Sequence, residues 1–104
     1  MMNLVAYNAD VPVELTLNPV SHVVKVGKKY TRLTLQEYLL LEAFASQPGS
    51  TLSRSRLLLD VWQCPIPIQT RTVDVHVQRL RRKLGSHLIE TVHGVGYRLQ
   101  AEPL

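Results

Sequence analysis

The sequence predicts an α+β domain, on three observations. Strand-like runs with turn residues between them occupy both ends of the chain, three helical patterns lie between, and the last helix carries the whole charge excess. With 104 residues, 45% hydrophobic and 19% charged, the chain has the profile of one packed unit that can bury a core without disulfides or metals. Cys64 is the only cysteine, so no intrachain disulfide can form and an oxidising compartment is not indicated. The N-terminus lacks a signal-peptide pattern and the apolar stretches, such as Leu39-Leu40-Leu41, are far too short for a membrane span. A soluble, cytoplasmic protein without membrane contact is expected.

Each element has a local reason. Residues 11–33 read as a small antiparallel sheet: apolar and polar residues alternate in Val13-Glu14-Leu15-Thr16-Leu17, Asn18-Pro19 breaks the run, and His22 to Val26 and Lys29 to Leu33 flank Gly27. Residues 1–10 read either as a disordered lead-in or as an edge strand. Residues 34–84 form a three-helix unit. Thr34 with Glu37 three residues on is a capping-box pattern and opens a helix from about Leu35 to Ser46, which Pro48-Gly49 stops. Ser53 caps a second helix, whose Leu57, Leu58, Val61 and Trp62 recur at helical spacing until Pro65 and Pro67 forbid continuation. Thr70 or Arg71 opens the third. Its Val73, Val77, Leu80 and Leu84 make one apolar stripe, and Gly85 closes it. Residues 88–99 read as a hairpin, with Leu88 to Val92 and Tyr97 to Leu99 joined through His93-Gly94-Val95-Gly96.

Function is legible first in the charge. From Thr70 to Leu84, Arg71, Arg79, Arg81, Arg82 and Lys83 face the single acid Asp74, which equals the net charge of +4 for the entire chain. Elsewhere cations and anions balance. Concentration of the excess on one element favours a polyanionic partner over an ordinary solvated face. At about 100° per residue, the apolar stripe turned inward leaves Arg71, Thr72, Val75, Arg79 and Arg82 on the outward half, with Gln78 and Lys83 at its edges. Arginine forks pair with guanine edges or phosphates and small apolar groups meet thymine methyls, so this face suits a DNA major groove. The glycines around Val95 let the hairpin bend tightly, and His93 and Arg98 supply donors there. After a three-helix unit with a basic last helix, such a hairpin reads as the wing of a winged helix-turn-helix.

Other chemistries lack residues. No Cys-x-x-Cys or His-x3-His spacing exists, so no metal is expected, and no cofactor motif is present. No nucleophile is paired with a base, so an enzyme is not expected. Asp74 reads as the partner of Arg54 or Arg81, and Tyr38 and Trp62 as core residues. The rival reading is a winged helix whose basic face meets an acidic protein.

Within 33–99, Leu33-Thr34 with Glu37, Leu52-Ser53-Arg54, Val61-Trp62, Arg71-Thr72-Val73-Asp74-Val75-His76-Val77, Leu80-Arg81-Arg82-Lys83-Leu84 and Thr91-Val92-His93-Gly94-Val95-Gly96-Tyr97-Arg98-Leu99 resemble the C-terminal effector domains of OmpR/PhoB-class response regulators. The resemblance implies transcription regulation in a two-component system, as head-to-tail pairs on direct-repeat promoter DNA. By position it implies phosphate or base contacts from Arg71, Thr72, His76, Arg79 and Arg81, with Val75 toward thymine methyls; the helix projection adds Arg82 and, at its edge, Gln78 as DNA-binding candidates. Trp62, Thr91 and Tyr97 would touch the backbone, and His93 and Gly94 would lie near the minor groove. Residues 63–69 take the place where the family meets RNA polymerase, although their Pro-Ile-Pro composition departs from its polar pattern. A phosphorylatable receiver domain usually precedes such a unit, so the sequence is expected to be an excised effector domain or an orphan regulator, monomeric off DNA. Gln78 and His93 stand where the family often has arginine. A histidine in the wing predicts weaker and more pH-dependent minor-groove binding.

Overall fold

A computed structural model of the chain describes residues 1–65 and 69–104. Among the described residues, eight strands and three α-helices follow the order β1 (Met2–Asn8), β2 (Val11–Leu17), β3 (Val23–Val26), β4 (Lys29–Arg32), α1 (Leu35–Ser46), β5 (Thr51–Ser53), α2 (Arg54–Trp62), α3 (Arg71–Leu84), β6 (Ile89–Val92), β7 (Gly96–Leu99) and β8 (Ala101–Pro103). They build a winged helix-turn-helix with two antiparallel sheets, ordered β4-β3-β2-β1-β8 and β5-β7-β6.

The helices form where capping and periodicity place them. Thr34 Oγ1 accepts from the Glu37 amide at 3.2 Å while Glu37 Oε1 accepts from the Thr34 amide at 2.9 Å, so two of the orphan donors at the helix start are satisfied. Ser53 Oγ accepts from the Arg56 amide at 3.0 Å and opens α2. That helix ends where Gln63 turns left-handed. Helix α3 begins at Arg71 without a side-chain cap, and it buries Val73, Val77, Leu80 and Leu84. The stripe packs into a core that includes Leu15 and Val24 from the first sheet and Leu41 and Phe44 from α1.

The N-terminal ten residues correct the sequence reading. Strand β1 is neither a lead-in nor an edge: it pairs with β2 along Met2 to Asn8 and with β8 on its other side, Val5 opposite Glu102. Ala9 and Asp10, both at positive φ, form the turn to β2. The reason is the C-terminal tail, whose apolar Ala101 supplies a strand that no alternation pattern announces. Gln100 joins the sheets, donating its amide to Leu88 O and accepting from the Tyr7 amide, each at 2.8 Å. Strand β5 is likewise an element that no local pattern predicts. Its three residues pair with β7, so the wing is braced on the helix side as well.

Candidate nucleic-acid interface

The exposed side of α3 holds Arg71, Val75, Gln78, Arg79 and Arg82. Opposite the buried stripe these five fall within an arc of about 100°, with Val75 41% exposed among them. Thr72 and His76 are half-buried on one flank. His76 Nδ1 lies 2.8 Å from Thr72 O, and because a carbonyl only accepts, Nδ1 carries the hydrogen and Nε2 is left to meet a partner. The His76 ring also stands edge-on to Trp62, centroids 4.9 Å apart, so Trp62 packs against the core with one edge toward this flank.

The five cations of α3 divide into two groups. Lys83 Nζ is 2.6 Å from Oε1 of the buried Glu37, and Arg81 donates to Ile89 O at 2.7 Å and to Thr91 Oγ1 at 2.8 Å. Arg71, Arg79 and Arg82 make no hydrogen bond or ion pair among the described residues. Free cationic charge is therefore narrower than the composition suggests, and it coincides with the exposed arc.

The remaining flank of α3 faces the wing. Asp74 Oδ1 accepts from Arg54 Nε at 2.7 Å and from the Tyr97 hydroxyl at 2.5 Å. Burial opposes ionisation of Asp74, but the Tyr97 and Arg54 hydrogen bonds outweigh it and hold the carboxyl below its ordinary range. Burial, then the bond to Asp74, pushes the Tyr97 phenol up. The Tyr97 ring also meets the Arg54 and Arg81 guanidiniums at 5.0 and 5.6 Å from its centroid.

Two residues expected to contact DNA are engaged within the protein. Tyr97 is only 4% exposed and its hydroxyl is held by Asp74, while the Arg81 fork is closed on β6. Tyr97 is directed toward α3 by its bond to Asp74, and Arg81 is half-buried on the same flank of the helix. Of the two ion-pair partners expected for Asp74, the structure selects Arg54.

At the wing tip His93, Gly94 and Val95 are exposed, and Thr91 sits lower with its hydroxyl accepting from Arg81. The two glycines differ. Gly94 supplies a positive φ of 77°, as a tight turn needs, whereas Gly96 serves close approach: a Cβ there would lie 2.0 Å from Leu52 O. In the loop 63–69, Ile66, Pro67 and Ile68 lie outside the described residues. Among the described residues no cluster could hold a metal ion, and no helix is long and apolar enough to cross a membrane.

Sequence reasoning missed the Glu37–Lys83 bond. Lys83 carried the only available signal, at the edge of the helix's outward half.

Comparison with known proteins agrees with this geometry. Residues 27–99 match the family model described as "Transcriptional regulatory protein, C terminal". The chain is 55% identical over 69 residues to the transcriptional regulatory protein CseB of Streptomyces coelicolor, covering 66% of this chain and 30% of that protein. It is 41% identical over 88 residues to the phosphate regulon transcriptional regulatory protein PhoB of Escherichia coli, covering 81% of this chain and 38% of that one. The chain thus spans well under half the length of these relatives. Among solved structures, the DNA-binding domain of the response regulator AdeR, in complex with an intercistronic region, superposes with a TM-score of 0.71 at 31% identity, covering 83% of this chain and 93% of that one. With the helix, wing and free arginines already in place, these matches show that the chain belongs to the OmpR/PhoB family of response regulators as their C-terminal winged-helix DNA-binding domain, a regulatory and non-catalytic unit.

Proposed function

We propose that α3 lies in the major groove of promoter DNA with Arg71, Val75, Gln78, Arg79 and Arg82 toward bases and phosphates, and with the wing tip of His93 and Gly94 toward the adjacent minor groove. The single observation that carries this reading is that the three arginines of α3 without a hydrogen bond or ion pair among the described residues all lie on the exposed arc of the helix. Thr72 and His76 with Trp62 flank that arc and meet phosphates beside it. Thr91 meets the backbone near the wing. Val75 faces a thymine methyl.

Two copies bind head-to-tail on direct repeats, as a cytoplasmic regulator in which a receiver domain belongs to the same protein. Residues 63–69 face RNA polymerase. Selection from a pool of randomised duplexes tests the core of this reading, followed by gel-shift titration at two salt concentrations. Enrichment of a repeated motif and a steep fall of log affinity with log salt are expected. Weak binding without sequence preference would instead favour an acidic protein as partner of the basic face.

A further inference from the structure

Asp74 is an acid on the helix that would enter a polyanion, and simple electrostatics makes it a liability for DNA binding. It is not on the exposed arc, however. One of its oxygens holds α2 through Arg54 Nε and β7 through the Tyr97 hydroxyl. The Tyr97 ring is itself flanked by two guanidiniums, and the second of these, Arg81, reaches on to β6 through Ile89 O and Thr91 Oγ1. Both wing strands are therefore tied to α3 by side chains that start within two turns of each other on one flank of the helix.

We propose that Asp74 is a positioning residue for DNA recognition: through Tyr97 and Arg54, with Arg81 as the second tie, it fixes the wing relative to α3, so that helix and wing meet DNA with one set offset. The inference rests on the reading that α3 and the wing both face DNA. A free hinge between them would have to be ordered on binding, and its removal beforehand favours the complex. Arg81 and Tyr97 then act on DNA affinity through the wing's placement.

The sign of one substitution separates this role from charge alone. Asp74→Asn removes a negative charge from the DNA-facing helix, and bookkeeping of charge predicts tighter binding. Positioning predicts the reverse. The probes are the duplex enriched from the randomised pool and the same duplex cut short on the flank that the wing covers. On the full duplex Asp74→Asn is expected to bind about fivefold more weakly than the unsubstituted chain, the scale of one hydrogen bond. On the shortened duplex the two should bind alike, with the same salt slope, and hydroxyl-radical protection at the wing flank should fade while guanine N7 protection under α3 persists.

Tyr97→Phe keeps the ring between its guanidiniums and removes only the hydroxyl. It is expected to give the same pattern, and it carries the test should the Asp74 variant fold poorly. Tighter or unchanged binding by Asp74→Asn, or equal weakening on both duplexes by either variant, overturns the proposal. Failure of the underlying reading shows separately, because the unsubstituted chain would then bind the full and shortened duplexes equally before any variant is compared.

Discussion

Lys83 Nζ lies 2.6 Å from Glu37 Oε1, the same oxygen that receives the Thr34 amide in the cap of α1. One buried carboxylate thus closes the start of the first helix and anchors the end of α3. Glu37→Ala should lower unfolding free energy by about 2 kcal/mol, since it removes a cap and a charge-assisted bond together. Glu37→Gln should cost about 1 kcal/mol, because its amide oxygen still accepts from Thr34. Urea denaturation of both variants checks the ranking.

Acid stability follows from the two lowered carboxyls. For Glu37, burial raises the pKa, but Lys83 and the Thr34 amide together bring it below the ordinary 4.5; for Asp74 burial is likewise outweighed, and it falls below the ordinary 3.8. A folded pKa below the unfolded one contributes stability that is full above the unfolded value and lost as pH falls through the folded one. The melting temperature should therefore stay level down to about pH 5 and drop below about pH 4. Carrying both Glu37→Gln and Asp74→Asn should lower the plateau and flatten the drop, as thermal melts across this range would report.

The wing glycines should separate in a melting experiment. Gly96→Ala pushes a Cβ into the Leu52 carbonyl backbone, so β5 and β7 must part, at a cost of about 3 kcal/mol or more. Gly94→Ala meets nothing within 4 Å and pays only for its left-handed φ, about 1 kcal/mol. Equal melting temperatures for the two variants would refute this division.

Salt dependence should sort the cations of α3. Arg79→Gln and Arg82→Gln are each expected to reduce the slope of log affinity against log salt by about 0.9, the value of one released counterion. Lys83→Gln should leave the slope unchanged and lower thermal stability instead, because its ammonium serves Glu37. Gel shifts at several salt concentrations, paired with melts, measure both.

The wing tip carries an exposed His93 where a permanent cation would suit a narrow minor groove. His93→Arg should tighten binding by adding a permanent cation at the wing tip, as gel-shift titration of the two proteins at one pH would report. Equal affinities of the two proteins would dismiss a role for this side chain.

The sequence by itself determined the three helices, their caps at Thr34 and Ser53, the buried stripe from Val73 to Leu84 and the location of the charge excess. These features depend on residues three or four apart, where periodicity and capping act directly. Only the tertiary structure decided that β1 lies inside its sheet, since its second neighbour β8 comes from the far end of the chain. It also decided which cations remain free. The formal excess on α3 reads as five equal charges, yet Glu37 from α1 and the wing backbone at Ile89 engage two of them. Partners this distant along the chain are chosen by packing, through the burial of carboxylates and carbonyls that must find donors, and no local pattern encodes that choice.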